Sequence, residues 1–433
     1  MSEAPIAQVL EADLTFLYGR FEAGVQVALD EEGRIRATGK LGLAPTRTFP
    51  AQALLPGFVN AHSHAFQRGL RGLGESFPAG AGSFWTWREA MYDLAGSLDG
   101  DAFETLCGRA FEEMRSAGIT SVGEFHYLHH ESELDFAFDE RILAAAAKAE
   151  IRIVLLLAYY RTGGIGRPLA PGQRRFETPD LESYWRQVDR LSARLDPARQ
   201  SLGIVAHSIR AASPEEIASL HGEARRRGLP FHLHAEEQQQ EIADCQAAYG
   251  RGPLALLSER LNPGPFSTAV HATHSTSEDL ARWLGPGARI CLCPLTEANL
   301  GDGIADLPTM ARWPDQLCLG TDSNARISML EEMRWLEYGQ RLSGERRGVL
   351  TDGDGEVAPF LLRAATANGA ASLGLAAGEI APGRWGDLVL VDLEHPSLAG
   401  ATPRTLLAAL VFGGGDEVIV ETAVGGRFRR HRD

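Results

Sequence analysis

The chain has 433 residues, of which 44% are hydrophobic and 23% charged, which is ordinary for a globular protein and excludes a disordered, collagenous or coiled-coil chain. The formal net charge of −15 argues against a nucleic-acid binder, because contact with phosphates needs a basic surface. The longest strongly apolar run, from Ile153 to Tyr160, is far too short to cross a bilayer. We therefore expect no nucleic-acid partner and no membrane segment.

The N-terminal segment and the cysteines predict a cytoplasmic protein. The first residues, MSEAPIAQVLEADLTF, contain no basic region followed by an apolar stretch, so we expect no secretory signal. The chain has five cysteines, an odd number that favours reduced thiols over a disulfide framework. Cys291 and Cys293 are two positions apart, but without a second pair nearby in sequence a thiolate metal site is disfavoured.

In chain order, the first 55 residues read as short strands and turns, with a hairpin around residues 30–33. Apolar runs typical of strands then alternate with amphipathic stretches of helical period. Near the other end, GRWGDLVLVDL and DEVIVETAVGGRF again read as strand, turn and strand. We expect the terminal segments, 1–55 and 377–433, to fold together into a small β domain beside a central domain of residues 56–376.

The central part predicts an α/β fold, namely a (β/α)₈ TIM barrel, because eight apolar runs alternate with helices. The runs are LLPGFVNAHSH, GITSVGEFHY, RIVLLLAYY, LGIVAHSI, PFHLHAEE, TAVHATHS, RICLCPLTE and QLCLGTDS. Helices are expected over 101–117, 139–149, 181–195, 214–227, 277–284 and 329–342. An open doubly wound sheet is the alternative, but no G-x-G-x-x-G follows an early strand, and polar residues recur at nearly every strand end, as on the active face of a barrel.

Histidines at the predicted strand ends indicate a metal site. Two pairs have the spacing H-x-H, and residues two apart in a strand share a face. Imidazoles with one carboxylate suit Zn²⁺ or a similar divalent ion with an open position for water. The candidates are His62 and His64 on the first strand, His232 and His234 on the fifth, His271 on the sixth and Asp322 on the eighth.

The segments GFVNAHSH, HLHAEE, VHATH and GTDS resemble the metal-dependent amidohydrolase superfamily. The resemblance covers the barrel and implies the flanking β-sandwich. It also implies a metal held by His62, His64, His234 and Asp322, with His271 nearby.

The fifth strand offers two candidate ligands, and the resemblance favours one of them. His232 is the rival, but Glu237 follows His234 by three residues and matches the H-x-x-E signature of deaminase-type members. Asp322 can take a proton at the metal, and Glu237 can carry a proton to a leaving nitrogen. His271 can stabilise the tetrahedral carbon centre that develops during the reaction. For Glu237 alone, a solvated carboxylate at a helix start is the alternative.

The lysines bear on the number of metal ions. Many relatives hold two metals with a carbamylated lysine from the fourth strand, but LGIVAHSIRA contains none. The chain has only Lys40, before the barrel, and Lys148, in an alanine-rich helix. We expect one divalent metal per chain, Zn²⁺ in the first place, although the same donors accept Fe²⁺, Mn²⁺ or Co²⁺.

Six further segments are similar to the formimidoylglutamate deiminase family: AHSHAFQRGLRG, SFWTWREAMY, EFHYLHH, HSIRA, CPLTEANLGDG and EEMRWLEYGQRL. This resemblance implies hydrolysis of the C=N bond of N-formimino-L-glutamate, a small-molecule substrate of histidine degradation, to N-formyl-L-glutamate and ammonia. It also implies a homodimer. It places substrate contacts on Gln67, Arg88, Tyr127, His207 and Arg210.

Two arginines suit a substrate with two carboxylates, because a guanidinium binds a carboxylate through two parallel hydrogen bonds. Arg210 follows the fourth strand, and Arg88 lies in an aromatic-rich segment that we expect to be a loop covering the site. A surface position is the alternative for Arg88, and structural hydrogen bonding is the alternative for Gln67, Tyr127 and His207. Three other arginines could bind a substrate carboxylate in place of Arg88 or Arg210, namely Arg68, Arg71 and Arg161. No role is assigned to His126, His129 and His130.

Two other functions compete with this interpretation. A nucleobase or adenosine-type deaminase on the same barrel would attack a similar amidine carbon, but its pocket needs planar hydrogen bonding and stacking more than two arginines. A non-catalytic barrel used as an assembly scaffold is expected to have lost metal ligands, whereas every ligand type and Glu237 are present here.

Overall fold

The computed structural model describes residues 5–73, 75, 77, 80 and 82–431. The outermost residues of the two predicted terminal segments, 1–4 and 432–433, lie outside the described residues. The strands in the described part are β1 (Ile6–Leu17), β2 (Arg20–Glu22), β3 (Gln26–Asp30), β4 (Ile35–Gly39), β5 (Arg47–Pro56), β6 (Phe58–Ser63), β7 (Ile119–His126), β8 (Arg152–Tyr159), β9 (Gln200–Ser208), β10 (Phe231–Ala235), β11 (Ser267–His271), β12 (Arg289–Leu292), β13 (Leu317–Leu319), β14 (Leu388–Asp392), β15 (Ile419–Val424) and β16 (Arg427–Arg430).

Both ends of the chain form one mixed sheet, separate from the barrel. Its strand order is β16-β15-β14-β5-β1-β3-β4, with β2 paired to β1. The predicted hairpin is confirmed, since β3 and β4 pair antiparallel. Strand β14 pairs antiparallel with β5, with Leu390 opposite Leu54, so the C-terminal segment is bonded directly to the N-terminal one. A core of buried apolar side chains, including Leu10, Val27 and Leu388, belongs to this sheet.

The eight predicted central strands are confirmed as β6 to β13, which pair in chain order. Parallel strands that are buried on both faces read as continuous apolar runs, which is why the sequence reveals them. In β8, for example, every residue from Arg152 to Tyr159 is buried. A parallel bridge between Ser63 and Asp322 joins the first strand to the segment after the last and closes the barrel.

The helices in the described residues include all six that the sequence predicts, and those over 214–227 and 277–284 have the predicted bounds. Ser213 accepts a hydrogen bond from the backbone N–H of Glu216 and caps the first of these two helices at the expected position. The helices are α1 (Phe84–Ser97), α2 (Gly100–Ser116), α3 (Ala137–Lys148), α4 (Leu181–Ser192), α5 (Pro214–Arg227), α6 (Gln239–Tyr249), α7 (Pro253–Leu261), α8 (Ser277–Leu284), α9 (Pro294–Leu300), α10 (Leu307–Met310), α11 (Met329–Gly344), α12 (Val357–Ala364), α13 (Ala367–Ser372) and α14 (Leu406–Gly413).

The expectation of an aromatic loop around Arg88 is wrong, because this residue lies on helix α1. Aromatic residues have modest helix propensity, so the sequence signal was weak. The helix is stabilised by packing: Phe84, Met91 and Ala95 are buried at positions that share one helical face. Among the described residues, no helix combines the length and the apolar character needed to cross a membrane.

Candidate active site

The candidate metal donors lie together at the carboxyl ends of the barrel strands, where the active sites of such barrels are built. His62 is in β6 and His64 follows it directly, His234 is in β10, and Asp322 lies three residues after β13. The backbone N–H of Asp322 donates to the carbonyl of His62 at 3.0 Å, and the N–H of His64 donates to the carbonyl of Asp322 at 2.8 Å. The seam that closes the barrel thus places three of the four donors side by side.

The donor atoms of these four side chains lie close together. The Nε2 atoms of His62 and His234 are 3.2 Å apart. Asp322 Oδ1 lies 3.5 Å from His62 Nε2 and 3.3 Å from His64 Nε2. All four residues are buried. Such spacings match those between neighbouring ligands around a tetrahedrally coordinated ion.

The protonation of the imidazoles fits a cation. His64 donates its Nδ1–H to the carbonyl of Phe125 at 2.8 Å, and His234 donates its Nδ1–H to the carbonyl of His207 at 3.0 Å. Each Nε2 therefore presents a lone pair to the centre, as in histidines that bind a metal. Burial is the main cause that lowers the pKa of His64 to about 3 and holds the pKa of His234 well below its usual value. Neutral imidazoles with converging lone pairs are the donors that a divalent cation requires.

The rival ligand on the fifth strand points elsewhere. His232 donates from Nε2 to the carbonyl of Ser372 at 2.9 Å, which ties its ring to helix α13. The group of buried donor atoms within mutual reach instead contains His62, His64 and His234.

His271 lies beside this centre, with Nε2 3.6 Å from Asp322 Oδ2 and Nδ1 3.3 Å from Glu297 Oε1. Burial would lower the pKa of His271, but the hydrogen bond with Glu297 and the charges of Glu237 and Asp322 raise it to about 10. The Glu297 carboxylate orients the ring and favours a proton on Nδ1. Sequence reasoning missed Glu297, although the segment CPLTEANLGDG that carries it was singled out.

Glu237 is buried at 6% exposure, so it is not a solvated carboxylate at a helix start. Its Oε2 accepts a hydrogen bond from Arg210 Nη2 at 2.8 Å. A second carboxyl, that of Glu241 on α6, lies 4.0 Å from Arg210 Nε. Burial raises the pKa of Glu241 to about 7, against the lowering effect of Arg210. Arg210 is thus hydrogen-bonded to one buried carboxylate and lies near a second, and sequence reasoning missed the second.

All five predicted substrate contacts line one cavity that opens beside the metal donors. The lining also contains aromatic side chains from α1 and the loops, which the sequence analysis did not assign. The cavity is bounded by His64, Gln67, Phe84, Trp87, Arg88, Met91, Tyr92, Tyr127, Tyr160, Gly163, Phe176, His207, Arg210, His234, Glu237, Leu300 and Asp322.

The polar groups of this cavity are partly unpaired. Gln67 donates to the hydroxyl of Tyr127 at 2.6 Å, whereas its Oε1 is buried without a hydrogen-bond partner in the described structure. Arg88 stacks on the rings of Trp85 and Tyr92, at 4.3 and 5.5 Å from their centroids. Within the described residues Arg88 forms no ion pair, so its guanidinium is available to an anion from outside the protein.

The three alternative arginines are engaged elsewhere. Arg68 donates to the carbonyl groups of Asn324 and Ala325 and pairs with Glu113, which makes it structural. The side chains of Arg71 and Arg161 are 62% and 44% exposed and pair with surface carboxylates. None of the three lines the cavity.

The unassigned histidines form a separate buried cluster next to β7. Asp139 Oδ1 accepts hydrogen bonds from His126 Nε2 at 2.9 Å and from His129 Nδ1 at 2.8 Å, and Oδ2 accepts one from Gln187 at 2.7 Å. His130 donates from Nε2 to the carbonyl of Glu177 at 2.7 Å. Because its hydrogen bonds are satisfied within the protein, this cluster supports the loop that carries Tyr127.

Comparison with known proteins identifies the family. The family model described as "Amidohydrolase family" matches residues 53–429. A formimidoylglutamate deiminase from Pseudomonas aeruginosa is 41% identical over 87% of this chain and 84% of its own length, which confirms the resemblance found in the sequence. The crystal structure of an amidohydrolase from Brucella melitensis superposes with a TM-score of 0.91 at 32% identity and covers 98% of this chain and 96% of its own.

The fold is shared more widely. An adenosine deaminase from Xanthomonas campestris, crystallised with bound zinc, has a TM-score of 0.81 at 23% identity and covers 99% of this chain and 93% of its own. The eight-stranded barrel, the separate terminal sheet and the matched family model agree with one another. The chain is a member of the amidohydrolase family, whose enzymes are metal-dependent.

Proposed function

We propose that the protein hydrolyses N-formimino-L-glutamate to N-formyl-L-glutamate and ammonia, as a cytoplasmic enzyme of histidine degradation. The observation that carries this proposal is the presence of Arg88 and Arg210 in the cavity beside the metal donors. Arg88 forms no ion pair within the described residues, and Arg210 pairs with Glu237 at the wall of the same cavity, so both guanidinium groups can meet a ligand that brings two anions. The substrate has two carboxylates, and the Pseudomonas relative named for this reaction supports the assignment.

The proposal includes one divalent metal ion per chain, Zn²⁺ in the first place, held by His62, His64, His234 and Asp322. Three neutral imidazoles and one carboxylate are a donor set that suits zinc, and an ion held by them could take a water as a fifth ligand. When bound there, such an ion supplies a water whose pKa is lowered toward neutrality. The two lysines do not line the cavity, which supports a site without a bridging lysine.

The side chains of the site can then move the protons that the reaction requires. Water adds through its oxygen to the formimino carbon, and Asp322 takes a proton from it. Glu237, which lines the cavity, carries the other water proton to the terminal nitrogen, and the proton held by Asp322 passes to the same nitrogen before it leaves. The bond between this nitrogen and the carbon breaks, ammonia leaves, and the carbon keeps the oxygen as a formyl group. His271, oriented by Glu297, stabilises the charge that develops at the tetrahedral carbon.

The polar side chains of the cavity would orient the substrate. Arg210 faces the α-carboxylate and Arg88 the side-chain carboxylate, while Gln67, Tyr127 and His207 contact the formimino end. The unpaired Oε1 of Gln67 is an acceptor for a formimino N–H. Trp87, Tyr92 and Phe176 also line the cavity and give it apolar walls.

Ammonia release from a substrate panel tests this function. Metal-loaded enzyme is given N-formimino-L-glutamate, guanine, cytosine, adenosine and S-adenosylhomocysteine at equal concentrations. The expected result is turnover of N-formimino-L-glutamate far above the others, with N-formyl-L-glutamate as product. Preference for a purine would instead establish the adenosine-type deaminase reading, for which the aromatic walls could supply stacking.

Three further features belong to the same proposal. The chain divides into a barrel domain, 56–376, and a composite terminal domain, 1–55 with 377–433. The enzyme is a homodimer, which sedimentation equilibrium at two concentrations can measure. All five cysteines are buried and unpaired with one another, which supports a reducing compartment.

A further inference from the structure

A thiol lies next to the proposed metal centre and has no part in the reaction described above. Cys293 directly precedes α9 and is fully buried. Its sulfur and the donor atoms of His271 and Asp322 all lie within 4.8 Å of one another. In the sequence Cys291 and Cys293 lack a second thiol pair, which disfavours a cysteine metal site, whereas the fold joins one thiol to an imidazole and a carboxylate.

A second observation points to a ligand at the same place. Nε2 of His271 is buried, with the residue 1% exposed, and has no hydrogen-bond partner in the described structure. It lies 3.6 Å from Asp322 Oδ2. Oδ1 of the same carboxylate faces His62 and His64. Asp322 therefore offers one oxygen to each of two neighbouring positions.

We propose that His271, Cys293 and Asp322 form a second, inhibitory site for a thiophilic divalent cation such as Cd²⁺ or excess Zn²⁺. Soft thiolate ligands select such ions over Mg²⁺ or Ca²⁺. On binding, the thiol proton of Cys293 and any proton on His271 Nε2 pass to water, and bonds from sulfur and nitrogen to the cation form in their place. No oxidant or reductant takes part.

Occupation of this site blocks turnover because it consumes two groups of the reaction. The proposed function assigns proton transfer to Asp322 and charge stabilisation to His271, and a cation on Oδ2 and Nε2 removes both. The inhibition part of this inference therefore rests on the proposed function. The binding part does not, because it is measured on the thiolate itself.

The experiment is a Cd²⁺ titration of enzyme that already holds one equivalent of Zn²⁺. Thiolate-to-cadmium charge transfer absorbs in the ultraviolet, so the band reports Cys293 without reference to any substrate. The wild-type enzyme is expected to develop this band with one further equivalent, and activity should fall in parallel. Cys293→Ala should lack the band, and the Cd²⁺ concentration for half-inhibition should rise at least about tenfold, since even the loss of a group that only supports a ligand costs that much affinity.

Cys318→Ala is the matched control, because Cys318 is equally buried, in the adjacent strand β13, and is not part of the donor group. It should titrate like the wild type. A wild-type titration without a thiolate band overturns the inference whether or not any variant folds. The same holds if the band persists in Cys293→Ala. If the band forms but N-formimino-L-glutamate is not a substrate, the second site stands and only the proposed function fails.

Discussion

Replacement of the two cavity arginines by methionine tests how the substrate is held. Methionine keeps an unbranched apolar stem and removes the charge. Arg88 forms no ion pair in the described residues, so Arg88→Met leaves no protein carboxylate unpaired. Arg210 neutralises Glu237 at 2.8 Å and lies 4.0 Å from Glu241, so Arg210→Met strands buried charge as well.

The burial of each guanidinium determines how much transition-state binding energy its replacement should cost. Truncating one partner of a buried charge pair typically costs about 2–5 kcal/mol, and screening by solvent reduces that figure for exposed groups. Arg88 is partly exposed, so about 2 kcal/mol applies, which is a fall of roughly 30-fold in kcat/KM. The side chain of Arg210 is only 15% exposed, so its loss should cost an energy toward the upper end of that range. This corresponds to a fall of about a thousandfold or more in kcat/KM.

The assay compares N-formimino-L-glutamate with N-formiminoglycine, which lacks the side-chain carboxylate. Wild-type enzyme should strongly prefer the first, and Arg88→Met should lose most of that preference, mainly through KM. Arg210→Met should lower kcat as well, because Glu237 is disturbed. Arg161→Met, at an exposed ion pair outside the cavity, is the control and should behave as wild type. Equal turnover of both compounds by the wild-type enzyme would refute the assignment of one arginine to each substrate carboxylate.

Three other outcomes are expected. Glu237→Gln should lower kcat by about 100-fold or more while metal content and Tm stay nearly unchanged, because the amide still accepts from Arg210 but carries no acidic proton; near-normal turnover would remove Glu237 from the reaction. After chelation, one equivalent of Zn²⁺ should restore full activity, and a requirement for two equivalents would contradict the single-metal proposal. Burial would raise the pKa of Asp139, but His129 and His126 hold it well below its usual range. Because the pKa of Asp139 is lower in the native than in the unfolded state, its charge stabilises the fold at pH values above the unfolded-state pKa. Asp139→Asn should therefore cost about 3–5 kcal/mol of unfolding free energy at neutral pH. This difference should shrink below about pH 4 in denaturant titrations, and a difference that is independent of pH would contradict the charge-based reasoning.

The barrel strands could be read from the sequence because their physical signal is local. Each strand is buried on both faces and therefore appears as a short continuous apolar run, and the polar residue that ends it marks the active face. His62, His234, His271 and Asp322 were found in this way.

Helix α1 escaped detection because its stability comes from tertiary contacts. Its residues have weak helix propensity, and burial of Phe84 and Met91 against the rest of the protein stabilises it. Glu241 and Glu297 escaped for a related reason: both are ordinary helix carboxylates in sequence, and only folding places them against Arg210 and His271.

The carboxyl ends of the barrel strands link the stability of the fold to the geometry of the site. His271 and Asp322 have φ values of 74° and 45°, a left-handed conformation that costs non-glycine residues about 1–3 kcal/mol each. The backbone hydrogen bonds around them hold this conformation: Asp322 N–H binds the carbonyl of His62, and the N–H of Ala272 binds the carbonyl of Ala235 at 2.9 Å. These bonds belong to the pairing of neighbouring strand ends, so the barrel itself supplies the energy that keeps the two side chains aimed at the centre. Donors oriented in this way need little reorganisation when a cation or a substrate arrives, which is the condition for strong electrostatic stabilisation of a transition state.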